Sequence, residues 1–200
     1  MKHLNPVQSL LDPCSPTANS LGEMAGGLIL RFAGEDLARE GLLRTPQRFS
    51  KALEELTAGY KLTAEEVVGS GVFAAEGSGL VSVRDVEFYS LCEHHMLPFW
   101  GKASVAYYPD EKIVGLSKIP RLVDMFARRF QVQERLTEQV GRSLHQLLRP
   151  RAVAVRISAA HMCMMMRGVK KQSSETTTEF SLGLDRLSAM ESERLWKCLD

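Results

Sequence analysis

Apolar positions change period several times along the chain, and each change marks an element. Residues 21–40, LGEMAGGLILRFAGEDLARE, look helical despite several glycines. Phe49, Leu53 and Leu56 share one helical face behind Thr45-Pro46. Thr45 suits an N-cap and Pro46 a first turn, so a helix is expected from Thr45 to about Thr57. Residues 66–80, rich in Gly, Ala, Val and Ser, read as a loop. Alternation then sets in with Val81 and Val83, and resumes out of phase at Val86 and Phe88, which predicts a β-bulge between 83 and 86. Residues 101–108 read as a second strand, followed by a turn at Tyr108–Lys112. Leu122, Met125 and Phe126 predict a helix over 119–129. Leu136, Val140, Leu144 and Leu147 predict another from about Val132 to Arg149-Pro150. Val153, Val155 and Ile157 alternate in a third strand that runs to His161; 176–184 suits a fourth and 191–199 a closing helix.

Helices, two strands, two helices, two strands and a helix make an α+β chain with an antiparallel sheet. The expected organisation is a mobile N-terminal arm (1–20), a helical segment (21–60) and a sheet-bearing catalytic domain (61–200).

Composition narrows the function classes. Of the 200 residues, 44% are hydrophobic and 24% charged, as in an ordinary globular protein. The net charge of +1 gives no global attraction to nucleic acid or membrane, so any anion site must be local. No apolar run reaches bilayer length, and the N-terminus lacks the uninterrupted apolar core of a signal peptide. A cytoplasmic location is expected. Cysteines at 14, 92, 163 and 198 are too scattered for a secreted disulfide framework and read as reduced thiols.

Candidate chemistry concentrates in Leu91-Cys92-Glu93-His94-His95-Met96-Leu97-Pro98. Thiolate and imidazole are zinc ligands, and Cys-x-x-His lets one turn present both to one ion. Cys163, in His161-Met162-Cys163, ends a predicted strand as Cys92 does, and adjacent antiparallel strands could bring these ends together. Cys92, His95 and Cys163 would make three ligands, the number that leaves a position open for catalysis. His94 and His161 would then be imidazoles free for acid–base work. Taken alone, Cys163 among methionines favours core packing over ligation.

Two weaker signals accompany the cluster. Ser117, Lys118 and Arg121 open a predicted helix and could cradle phosphate, although taken alone they favour a capped helix with solvated basic residues. Arg167 adds a basic group soon after Cys163. Gln133-Glu134 opens the next helix. A carboxylate there can accept a planar N–H pair such as guanine's edge, or simply favour the helix dipole.

Five ordered blocks resemble the GTP cyclohydrolase I family: Thr45-Pro46-Gln47-Arg48, Cys92–Phe99, Gly115-Leu116-Ser117-Lys118, Gln131–Thr137, and His161–Met164 with Met166-Arg167-Gly168. The resemblance spans about Leu43 to Leu184. It implies the tunnelling fold, an antiparallel four-stranded sheet backed by two helices. It implies Zn2+ on Cys92, His95 and Cys163, with proton transfer by His94 and His161. It implies purine recognition by Gln133 and Glu134, and triphosphate or ribose contacts from Ser117, Lys118, Arg121 and Arg167. Arg48 would reach a triphosphate from a neighbouring subunit, and Glu93 would sit near the metal or the substrate. The implied reaction is hydrolysis of GTP at guanine C8, releasing formate and forming 7,8-dihydroneopterin triphosphate, the first step of tetrahydrofolate and pterin biosynthesis. The implied assembly is a homodecamer of two pentamers with interfacial active sites.

Three rivals are weighed against this. A nitrile reductase on the same fold would use a cysteine nucleophile and a nicotinamide, and the complete Cys-x-x-His plus His-x-Cys set argues against it. An inactive scaffold paralogue would not need every implied catalytic position filled. A zinc-stabilised nucleic-acid module would need a basic face and paired Cys-x-x-Cys motifs.

Overall fold

The computed structural model describes residues 18–200. The expected arm lies outside the described residues as far as residue 17. The chain divides into two compact units, Met1–Glu55 and Leu56–Asp200.

In the first unit, helix α1 (Ala18–Phe32) is followed by α2 (Thr45–Leu56). The expected helix over 21–40 ends early: Gly34 takes φ +80°, a left-handed conformation that closes helices. Only a short 3-10 turn, Glu40–Leu42, follows before α2. Thr45 lies within α2, its hydroxyl donating back to the Gly41 carbonyl (3.4 Å). Glu23 on α1 accepts from the Gln47 amide on α2 (3.4 Å).

The second unit holds the sheet. Strands β2 (Val81–Cys92), β3 (Pro98–Tyr108), β6 (Ala152–His161) and β7 (Thr176–Leu182) pair antiparallel in that order. A fifth strand, β5 (Phe130–Gln131), adds two residues parallel to the end of β2, at Leu91 and Cys92. The register of β2 on β3 shifts between Val83 and Val86, as the broken alternation predicts, with Asp85 at φ +55°. Residues 66–80 are not simply a loop. Helix α3 (Ala64–Val68) is closed by a capping box between Thr63 and Glu66, and β1 (Val72–Ala74) pairs with β4 (Lys112–Val114). The Val114 N–H donates to the Tyr107 hydroxyl (3.2 Å), which pins β4 to β3.

Helices α4 (Lys118–Ala127) and α5 (Gln133–Leu148) back one face of the sheet. Leu122, Val123, Leu136, Val140, Leu144 and Leu148 pack with Phe88, Val105, Val155 and Ile157 in one continuous core. Each leucine buried there contributes roughly 1.5–3 kcal/mol. At Gly101 β3 lies tight against β6: a Cβ there would stand 1.9 Å from the Ser158 carbonyl oxygen. On the other face, Leu195 of α7 (Ala189–Lys197) and Leu199 cover Ala106, Tyr108, Ala152 and Ala154. The rest of that face is an open trough of about 720 Å³, lined in part by Tyr89, Trp100, Lys102 and Arg156. No helix among the described residues is long and apolar enough to cross a membrane.

Candidate metal centre

The turn from β2 to β3 folds tightly back on Cys92. The Cys92 carbonyl accepts from the His95 and Met96 amides (3.3 and 2.8 Å), and the Cys92 N–H donates to the Leu97 carbonyl (2.9 Å). Met96 takes φ +54° to close the turn. This brings the His95 ring back over the thiol, with Nδ1 3.9 Å from Cys92 Sγ. One strand across, β3 separates β2 from β6, and β6 ends at His161 opposite Phe99. The single-turn helix α6 (Met162–Met165) then carries Cys163 to the same spot. The ligand atoms of Cys92, His95 and Cys163 all lie within 4.8 Å of one another.

That spacing fits a tetrahedral metal. Bonds of about 2.0–2.3 Å at tetrahedral angles separate ligand atoms by roughly 3.3–3.8 Å, so small side-chain adjustments would close the site. Among the described residues this is the one group of three that fits. Burial and the neighbouring Cys92 thiol push the Cys163 thiol above its ordinary range, and Arg167 pulls it back in part. A thiol that resists ionisation without a cation, set against a second thiol, is chemically suited to receiving one.

Other expected residues gather around this end of the sheet. His94 Nδ1 is 3.8 Å from Cys92 Sγ, but His94 is not part of the mutually close group. His161 stacks flat on Phe99, with ring centroids 4.6 Å apart, and burial lowers its pKa while Glu134 pulls the other way. Glu134 is exposed at the start of α5. Gln133 beside it is 2% exposed and its side chain points inward. Its Nε2 donates to the carbonyls of Thr176 (2.8 Å) and Ile157 (3.0 Å), and its Oε1 lies 2.8 Å from His161 Nε2. Glu93 pairs with Arg135, which holds its carboxyl below the ordinary range. The Glu93 N–H donates to the Gln131 carbonyl on β5 (3.0 Å), so the turn after Cys92 is tied to the start of α5. The sequence had no signal for Arg135 as a partner, because the pairing depends on the two-residue strand β5.

The remaining expected residues lie elsewhere. Ser117, Lys118 and Arg121 open α4, just after β4, which is pinned to Tyr107. Tyr107 lies eight residues along β3 from Phe99, on the order of 25 Å at strand rise. Lys118 turns back to the Val67 carbonyl (3.5 Å), while Ser117 and Arg121 are exposed. Arg48 belongs to the first unit, where it lines a surface depression with Glu40, Gly41, Leu43 and Arg44.

Fold and cluster together define a class: an α+β protein with two thiols and an imidazole that could hold a metal at one end of an antiparallel sheet, flanked by further imidazoles and a carboxylate. The family is then identified by likeness. The profile of GTP cyclohydrolase I matches residues 23–198. A protein named GTP cyclohydrolase 1 from Deinococcus radiodurans is 59% identical over 157 residues, 78% of this chain and 73% of that one. Its namesake from Leptospira biflexa is 56% identical over 156 residues, 78% and 85% of the two chains. That from Chlorobaculum tepidum is 54% identical over 165 residues, 82% and 74%. This chain belongs to the GTP cyclohydrolase I family, whose fold is the tunnelling fold.

Proposed function

We propose that the protein hydrolyses GTP at C8 of guanine, releasing formate and yielding 7,8-dihydroneopterin triphosphate, with a zinc ion held by Cys92, His95 and Cys163. The observation that carries this is the convergence of two thiols and an imidazole within 4.8 Å, in a chain whose relatives bear the name of that activity. Bound there, the ion supplies the Lewis acidity that makes a nucleophile available near neutral pH.

The chain's own residues do the rest. The exposed Glu134 carboxylate accepts the N1–H and 2-amino protons of guanine, a planar pair that two carboxylate oxygens match. His161, whose pKa is lowered by burial, exchanges a proton with N7 as the imidazole ring of the base opens. His94, exposed beside Cys92, serves the second hydrolysis that frees C8 as formate. Arg167, close enough to Cys163 to affect its ionisation, faces the ribose or triphosphate.

Ser117, Lys118 and Arg121 serve the triphosphate of a neighbouring chain's site. The distance along β3 favours this, since it exceeds the reach of one nucleotide lying at the same chain's metal centre. An interfacial site follows from that reading, and the assembly that the family resemblance implies for it is a decamer of two pentamers.

The test is turnover of GTP by the purified protein, following formate and the pterin absorbance, before chelation, after it, and with zinc restored. Loss and recovery of both products is expected. No turnover from assembled, zinc-loaded protein would overturn the activity.

A further inference from the structure

Gln133 does not offer its side chain to a ligand. Its amide is buried and bonded at both ends, and the direction of each bond can be deduced. Nε2 faces the carbonyl oxygens of Thr176 and Ile157, which only accept. Turning the amide over would set its oxygen against two others, so the nitrogen must face them. Oε1 therefore faces His161 Nε2, and since Oε1 also only accepts, that ring nitrogen must carry the hydrogen.

The amide is held in turn by two threonines. Gln133 Nε2 lies 3.1 Å from Thr178 Oγ1 on β7. Thr178 Oγ1 is 2.6 Å from Thr137 Oγ1 on α5, and Thr137 Oγ1 is 2.8 Å from the backbone carbonyl of Gln133. The carbonyl accepts, so Thr137 donates to it. The lone pairs of Thr137 then receive the Thr178 proton, and those of Thr178 receive from Gln133. Gln133 Nε2 has two hydrogens for three acceptors, the Thr176 and Ile157 carbonyls and Thr178 Oγ1, so one hydrogen is shared between two of them. Gln133 and Thr137 are 2% and 1% exposed, and Thr178 and His161 are half-buried, so water has little access to the Gln133 amide itself.

We propose that Thr178 and Thr137 are positioning residues for the reaction. Through Gln133 they hold His161 with Nε2 protonated, so that Nδ1 is the atom presented to the substrate. Phe99 fixes the face of the same ring by stacking, and the threonine–glutamine loop fixes its edge and its tautomer. A ring free to turn over would offer either nitrogen, and only one orientation sets Nδ1 at the reacting atom.

The proposal rests on His161 acting in proton transfer, and the experiment separates the two ideas. Thr178→Val removes the hydroxyl and keeps the shape; Thr178→Ser keeps the hydroxyl and removes a methyl. In the assembled, metal-loaded protein, Thr178→Val should lower kcat roughly 10- to 100-fold and leave KM for GTP within about twofold. Thr178→Ser should restore kcat to within about threefold of the parent. Nitrogen NMR of histidine-labelled protein, with the His161 signals identified by their loss in His161→Gln, should show Nε2 protonated in the parent and a mixture of tautomers in Thr178→Val. Full kcat in Thr178→Val, or a parent His161 protonated at Nδ1, would overturn the proposal. A parent with the Nε2 tautomer that does not turn over GTP would overturn the catalytic reading and leave the positioning geometry intact.

Discussion

His94 and His95 are neighbours in sequence, and each brings Nδ1 within 4 Å of Cys92 Sγ (3.8 and 3.9 Å), yet their rings stand at 82° to one another. One turn thus offers two imidazoles to one thiol in different orientations, and only His95 also lies within reach of Cys163. The two should separate cleanly by mutation. His95→Ala and Cys163→Ser are expected to lose bound metal to below roughly a tenth of one ion per chain. His94→Ala should keep the metal and lose turnover by roughly 100-fold or more. Elemental analysis of dialysed protein alongside GTP turnover checks both.

Gly101 has no room for a methyl group. A Cβ there meets backbone, the Ser158 carbonyl, which cannot swing aside as a side-chain tip could. Gly101→Ala should cost about 1–3 kcal/mol, or more if the β3–β6 ladder breaks. Chemical denaturation of the two proteins measures it. Because Phe99 and His161 pair two residues further along, metal affinity should fall with stability.

Ser143 on α5 is buried at 6% exposure, and its hydroxyl has no hydrogen-bond partner among the described residues. Desolvation without compensation makes that oxygen a liability. Ser143→Ala is expected to be neutral or to stabilise by up to about 1 kcal/mol, read as a higher denaturation midpoint with unchanged turnover.

Glu191 caps α7. Arg151 holds its carboxyl, with help from the Ser188 backbone and hydroxyl, and its pKa falls to about 2. A carboxyl depressed by folding stabilises the fold above the ordinary carboxylate range, and that contribution disappears as pH falls through the folded value. Glu191→Gln should therefore lower Tm above about pH 5. The gap between the two proteins should close as pH falls towards 2. Thermal melts across that window test the sign.

Much of this architecture is written in the chain because it follows from periodicity. The broken alternation between Val83 and Val86 locates the bulge, and the leucine spacing of α5 locates its buried face. The thiol–imidazole cluster is legible from residue type and spacing, since Cys92 and Cys163 both fall at strand ends. Strands of two or three residues have no period to detect, so β1 and β5 leave no such mark, and β4 shows only as the short apolar run at Ile113-Val114. The inward turn of Gln133 is also invisible, because its acceptors lie 24 to 45 residues away on β6 and β7. Nor does spacing reveal that Ser117 and Lys118 open their helix at the opposite end of β3 from the cysteines.

That last separation makes β3 a rigid ruler with a different tool at each end. Under the interfacial reading, every chain owns half of two different active sites and the whole of none. Damage at one end then leaves the other end serviceable to a neighbour. A chain carrying Cys163→Ser and a chain carrying Lys118→Ala, each inert by itself, would regain turnover when unfolded and refolded together, because some interfaces would pair two intact halves. Catalysis in such a ring belongs to the seams between chains, and dilution that opens the seams abolishes it without unfolding a single subunit.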